Sequence, residues 1–95
     1  MKIETNLPYK KHVLVCVNER TDGSDCCANV HGKEIFLELK KWAIQNSNSD
    51  IWITKTGCLG FCNNIGTTIV IYPKKIWFME TTMKDIEKIK KALIA

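Results

Sequence analysis

His12–Val17, HVLVCV, and Ile51–Lys55, IWITK, decide the fold of this chain. Both are short, rich in β-branched residues and bounded by polar segments, so both read as strands. Between them the period changes. Ile35, Phe36, Leu39, Trp42 and Ala43 fall on one stripe of an amphipathic helix that begins near Lys33. The polar cluster Asn46–Asp50, NSNSD, ends that helix. A strand, a helix and a second strand in succession imply a parallel pair joined by a right-handed crossover.

Outward from this unit, residues 1–10 form a polar lead-in that contains Pro8. Asn18–Asp25 is a polar loop with Gly23, and Thr56–Gly66 is a second loop with Gly57, Gly60 and Gly66. Thr67–Tyr72, TTIVIY, and Lys75–Met79, KIWFM, read as two further strands, and Pro73-Lys74 between them implies a tight hairpin. Thr82 followed by Asp85 has the form of a capping box, after which Met83, Ile86, Ile89 and Leu93 supply the apolar stripe of a final helix. The expected order is β-α-β-β-β-α, an α/β fold with a mixed four-stranded sheet. Residues 1–95 read as one domain, with no repeat, linker or low-complexity segment.

Composition narrows the function classes. The net charge is +4, and its lysines lie mostly on the helix faces: Lys33, Lys40 and Lys41, then Lys84, Lys88, Lys90 and Lys91. That is the pattern of solvated helices, and no DNA- or RNA-binding motif interleaves with it, so no nucleic-acid partner is expected. The strongest apolar run, Val13–Val17, is far too short to span a bilayer, and no secretory signal core is visible. A cytoplasmic, reducing location is therefore expected, where stable disulfides are uncommon. Trp42, Trp52 and Trp77 read as core or helix–sheet packing. No paired carboxylates, Ser/His/Asp set or phosphate loop points to an enzyme.

The chemistry of the chain lies in its five cysteines, an odd number that a disulfide framework would not use up. Cys16 closes the first strand, and Cys58 follows the second. Parallel strands bring those ends to one edge of the sheet, where α/β folds build their sites. Cys27 and Cys62 follow in the loops on that edge, and Cys26 adjoins Cys27. Four thiolates are the ligand set of an iron–sulfur cluster or a structural zinc. Ten residues separate Cys16 from Cys27 and three separate Cys58 from Cys62, which matches neither the C-x2-C-x2-C-x3-C nor the C-x4-C-x2-C cluster spacing. Spacing alone leaves iron–sulfur and zinc both open. His31, close to Cys27 in sequence, admits a three-Cys, one-His zinc site, whereas His12 flanks a strand at the surface.

A resemblance separates the two metals. His12–Val17 with Asn18-Glu19-Arg20 resembles the first ligand strand of the thioredoxin-like [2Fe–2S] ferredoxins, a family that includes the small thioredoxin-like subunit of NADH dehydrogenase. Cys27-Ala28 followed by Glu34-Ile35-Phe36 resembles that family's second ligand and the helix after it. Thr56-Gly57-Cys58-Leu59-Gly60-Phe61-Cys62 resembles its second ligand loop. Ile69-Val70-Ile71-Tyr72-Pro73 and Ile76-Trp77-Phe78 resemble its terminal hairpin. Two departures stand out. Thr21-Asp22-Gly23 occupies the place of the family's Pro-Pro-Gly in a shorter first loop, and Gly66-Thr67 the place of its Gly-Pro.

The resemblance implies a thioredoxin-like fold and a [2Fe–2S] cluster held by Cys16, Cys27, Cys58 and Cys62, with Cys26 a free neighbouring thiol. It implies a one-electron carrier, not an enzyme, serving redox partner proteins such as a reductase, hydrogenase or dehydrogenase, with a homodimer among the possible assemblies. Gly23, Gly57, Gly60 and Gly66 would allow backbone N–H groups to approach the sulfurs. Glu19, Arg20, Asp22 and Asp25 give the first loop a local balance of −2. The second loop is uncharged and carries Leu59 and Phe61, so partners are expected to dock on a mixed acidic and apolar rim. Phe61 is equally compatible with inward packing. The alternatives are a zinc-binding or degenerate-site structural subunit and, less well supported, a thiol enzyme built on Cys26-Cys27.

Overall fold

A computed structural model describes residues 1–46 and 50–94. Four strands are present: β1, Lys11–Cys16; β2, Ile51–Thr56; β3, Thr67–Tyr72; and β4, Ile76–Thr81. Helix α1, Gly32–Asn46, lies between β1 and β2, and helix α2, Ile86–Ile94, follows β4. Short 3-10 turns at Cys27–Val30 and Met83–Asp85 lead into the two helices. The element order is the expected one. Of the polar cluster read as the end of the first helix, residues 47–49 lie outside the described residues.

The sheet order is β2-β1-β3-β4. β1 and β2 are parallel, with Lys11 opposite Ile51 and Cys16 opposite Thr56. β3 is antiparallel to β1, and β4 is antiparallel to β3. The crossover through α1 thus leaves Cys16 and the β2 terminus side by side. Central β3 is buried along Thr67–Ile71, while edge strand β2 alternates buried and exposed residues. That contrast is what a central strand and an edge strand require.

Both helices pack on one face of the sheet. Val13, Val15, Ile51, Ile53, Ile69 and Ile71 meet Ile35, Phe36, Leu39, Ala43, Ile86, Ile89 and Leu93 there, with Val17, Trp42 and Phe78 at the margin. Lys11 Nζ donates to the Leu93 carbonyl at 2.6 Å, which satisfies a carbonyl left unpaired at the end of α2. At the other end of that helical unit the Asp85 carboxylate accepts the Thr82 N–H at 2.9 Å and the Thr82 hydroxyl at 3.2 Å, as the sequence pattern implies. Among the described residues no helix is long and apolar enough to cross a membrane.

Beyond one-residue shifts at the starts of β1 and α1 and at the end of β2, four details differ from the sequence reading. β1 ends at Cys16, with Val17 just outside it although its N–H still bonds Thr56 at 3.0 Å. β4 begins and ends later, because Lys75 adopts a left-handed turn conformation (φ 59°) and a bulge near Glu80 (φ 54°) extends the strand to Thr81. Trp52 and Trp77 are not core residues: they are 43% and 40% exposed on the sheet face away from the helices. Both stand on edge strands, and among the described residues no helix packs on that face, so they stay partly in solvent even though Tyr9 packs on Trp52 with ring centroids 4.6 Å apart. Met83 is also exposed, since it precedes α2 in the 3-10 turn and falls off the buried stripe.

Candidate metal centre

Two loops meet at the edge where β1 and β2 end. The first runs from Cys16 through the 3-10 turn of Cys27, and the second from Gly57 to Gly66. Cys16 is buried at the end of β1, where the Thr67 hydroxyl donates to its carbonyl at 2.8 Å. The Ala28 N–H donates to the Asn18 carbonyl at 3.0 Å, which closes the first loop on itself. Gly32 then starts α1 hard against this loop. A Cβ at Gly32 would lie 2.4 Å from the Cys16 carbonyl oxygen and 2.7 Å from that of Cys27. Sequence reading did not single out Gly32; its position just after the turn was the available signal.

Cys26 and Cys27 are both buried, but they interact with different groups. Cys26 is extended (φ −153°), and the helical turn begins at Cys27. The Cys27 thiol interacts with the thiols of Cys16 and Cys62. Cys26 acts electrostatically on Lys33 instead.

In the second loop Cys58 is exposed and Cys62 half-buried, with sulfurs 3.3 Å apart. Gly60 occupies the left-handed region (φ 96°), and its N–H donates to Cys58 Sγ at 3.2 Å. Only glycine adopts that conformation without penalty. The far end of the loop is tied by Asn63, whose Oδ1 accepts the N–H groups of Ile65 at 2.8 Å and Gly66 at 3.0 Å. Gly66 serves the sheet instead of the sulfurs: a Cβ there would meet the Glu80 backbone at 2.3 Å, where the β4 bulge passes. Gly23 is a turn glycine with open space around its α-carbon, and the same space surrounds Gly57.

The thiols differ in acidity. Burial pushes the Cys16 thiol up to about 12, against the pull of the Asn18 and Leu59 N–H groups. The Gly60 N–H, the Cys62 thiol and Arg20 lower that of Cys58. Burial, followed by the neighbouring Cys58, raises that of Cys62. Arg20 crosses from the first loop to the second, its Nη2 3.6 Å from Cys58 Sγ and 3.9 Å from Cys62 Sγ. Glu19 turns away and pairs with Lys33 at 2.7 Å, while Asp22 accepts the Ser24 N–H at 3.0 Å. The rim is therefore less acidic toward the thiols than the loop composition implies.

Leu59 is half-buried, and Phe61 is 50% exposed with its ring 5.5 Å from Trp77, edge-on. The outward reading of Phe61 is the one observed. Neither histidine joins the thiols: His12 Nε2 lies 2.8 Å from Thr54 Oγ1, and His31 ends the 3-10 turn with its Nδ1 3.9 Å from Glu34.

Among the described residues no three His, Cys, Asp or Glu side chains gather on one point as a site for a single ion. The thiols instead stand as pairs, Cys16 with Cys27 and Cys58 with Cys62, and Cys27 acts electrostatically on Cys62 across the two loops. Pairs of thiols beside sulfur-directed N–H groups suit a binuclear iron–sulfur centre, which takes two protein ligands at each iron.

No family model matches the chain. Two curated proteins named 2Fe-2S ferredoxin do. The one from Clostridium pasteurianum is 31% identical over 85 residues, covering 84% of this chain and 80% of its own length. The one from Aquifex aeolicus is 32% identical over 84 residues, covering 83% of this chain and 74% of its own. Among solved structures, the wild-type thioredoxin-like [2Fe–2S] ferredoxin from Aquifex aeolicus superposes with a TM-score of 0.77 at 29% identity, covering 87% of this chain and 84% of that one.

Proposed function

The chain belongs to the thioredoxin-like [2Fe–2S] ferredoxin family, and from that premise we propose that it carries single electrons between redox proteins, holding its cluster through Cys16, Cys27, Cys58 and Cys62. The observation that carries this ligand assignment is the facing of the two loops. Cys58 and Cys62 lie 3.3 Å apart, Cys27 acts electrostatically on Cys62, and the Cys27 thiol hydrogen-bonds with that of Cys16. Cys26, which takes no part in these thiol interactions, stays outside the set.

When bound, a [2Fe–2S] cluster with four thiolates carries about −2 and takes up one electron. The residues around it serve that change. The Gly60 N–H directed at Cys58, and the Asn18 and Leu59 N–H groups directed at Cys16, stabilise negative charge on sulfur. Burial of Cys16 and Cys27 shields one side, while exposed Cys58 leaves the other within reach of a partner. Half-buried Leu59 and exposed Phe61, on the loop that carries Cys58 and Cys62, form the apolar contact for that partner, a reductase, hydrogenase or dehydrogenase. Such encounters are small and transient.

The whole chain acts as one domain with residues 1–10 as lead-in. It works as a carrier and transforms no substrate, in a reducing compartment such as the cytoplasm, where unpaired thiols persist. The open sheet face carrying Trp52, Tyr72, Trp77 and Met79 is the surface a second copy would cover.

An absorption spectrum of anaerobically purified protein, with iron and acid-labile sulfide counted in the same sample, tests the reading. Visible charge-transfer bands and near two irons and two sulfides per chain are expected. Colourless protein that refuses reconstitution, or binds about one zinc per chain, would overturn it.

A further inference from the structure

We propose that Arg20 is a positioning residue for electron transfer: its guanidinium straps the first ligand loop to the Cys58–Cys62 pair and favours the reduced state of the cluster. The inference rests on the carrier reading above. It adds a role for a side chain that holds no iron and touches no substrate.

Three observations carry it. Arg20 Nη2 lies 3.6 Å from Cys58 Sγ and 3.9 Å from Cys62 Sγ, thirty-eight and forty-two residues away in sequence. Its nearest sequence neighbour of opposite charge, Glu19, is engaged elsewhere by Lys33 at 2.7 Å. The remaining charges of Thr56–Gly66 number none, so no acid in that loop competes for the guanidinium. One guanidinium nitrogen, Nη2, addresses both sulfurs at once, and the group carries its charge at any ordinary pH.

The consequence for the couple follows from charge. Reduction adds one electron, supplied by a reduced partner protein, and leaves the iron–sulfur–thiolate unit one unit more negative. A fixed cation beside two of the four sulfurs interacts more strongly with that state. Removing the cation therefore favours the oxidised form and lowers the reduction potential.

The test is the midpoint potential of wild type, Arg20→Lys and Arg20→Gln, each reconstituted with iron and sulfide and titrated spectroelectrochemically, with cluster content counted per chain. Arg20→Gln is expected to lose about tenfold in preference for the reduced state, a fall of about 59 mV for a one-electron couple. Arg20→Lys is expected to keep the cluster and recover most of that potential. Cluster loss in Arg20→Gln with retention in Arg20→Lys also supports the strap. A wild-type potential in Arg20→Gln overturns the proposal, and so does loss of the cluster from both variants, since charge would then not be what matters. Wild-type protein that binds no cluster would sink the carrier reading itself, a result separate from either of these.

Discussion

Gly32 sits so close to Cys16 that a β-carbon on it would lie 2.4 Å from the Cys16 carbonyl oxygen. The contact joins the first turn of α1 to the end of β1, so one glycine sets how near the helix comes to the first ligand loop. Its competing neighbours are backbone atoms of Cys16 and Cys27, which cannot swing aside as a side chain would.

The first prediction follows from that geometry. In an unobstructed helix Gly→Ala stabilises by roughly 1 kcal/mol. Here the added methyl must push backbone, and overpacking of this kind costs about 1–3 kcal/mol. Gly32→Ala is therefore expected to lower stability in urea titrations of the cluster-free protein and to shorten cluster lifetime. An unchanged or raised midpoint would show that α1 can move away freely.

The cysteines give a second prediction. Serine at Cys16, Cys27, Cys58 or Cys62 is expected to abolish or strongly shift the visible spectrum, because a neutral hydroxyl is a poor substitute for a thiolate on iron. Cys26→Ser is expected to keep the spectrum while losing about 1–3 kcal/mol of stability, since its side chain is wholly buried and a new hydroxyl there needs a partner. A cluster that survives Cys27→Ser but not Cys26→Ser would exchange the assignments of the two neighbours.

Much of this was legible in sequence because period reports burial. HVLVCV and TTIVIY are central strands, and the stripe through Ile35, Leu39 and Ala43 faces them. Convergence of the β1 and β2 ends followed from reading strand–helix–strand as a parallel pair, whose carboxyl ends share one edge of the sheet. What was not legible depends on the third dimension. Trp52 and Trp77 look like core residues by type, yet they stand on edge strands on the face away from the helices and stay partly in solvent. Arg20 reads as one charge among four in a polar loop, and only the approach of the second loop shows that it faces sulfur. Gly66 reads as a loop glycine, but the β4 bulge is what demands it.

The sheet face away from the helices, on which Tyr9 and Phe61 cover only part of Trp52 and Trp77, supports a third prediction. Trp52, Tyr72, Trp77 and Met79 are all exposed there, around fully buried Val70. Burying apolar area of this kind contributes roughly 25 cal/mol per Å². Wild-type protein is expected to sediment as a dimer at tens of micromolar, and Trp77→Glu as a monomer with an unchanged cluster spectrum. Monomeric wild type at that concentration would leave this face to other partners and remove the dimer.

The last prediction concerns pH and the cluster-free protein. The Gly60 N–H, the Cys62 thiol and Arg20 together lower the Cys58 thiol, and Cys58 is also exposed. Alkylation near neutral pH is therefore expected at Cys58 first and at Cys16, Cys26 and Cys27 last, read by mass spectrometry of partly modified chains. Burial pushes Cys16 the other way, from 9.0 to about 12. Between those values the unfolded chain has released this proton while the folded chain retains it. Protons bound by the unfolded state are then fewer, so stability falls with rising pH. The contribution of Cys16 is fully present below about pH 9 and lost by about pH 12. Urea midpoints of cluster-free wild type should drop across that window, and those of Cys16→Ala should drop less. Equal slopes for the two proteins would mean that burial of Cys16 does not hold its proton, and early alkylation of Cys16 would say the same.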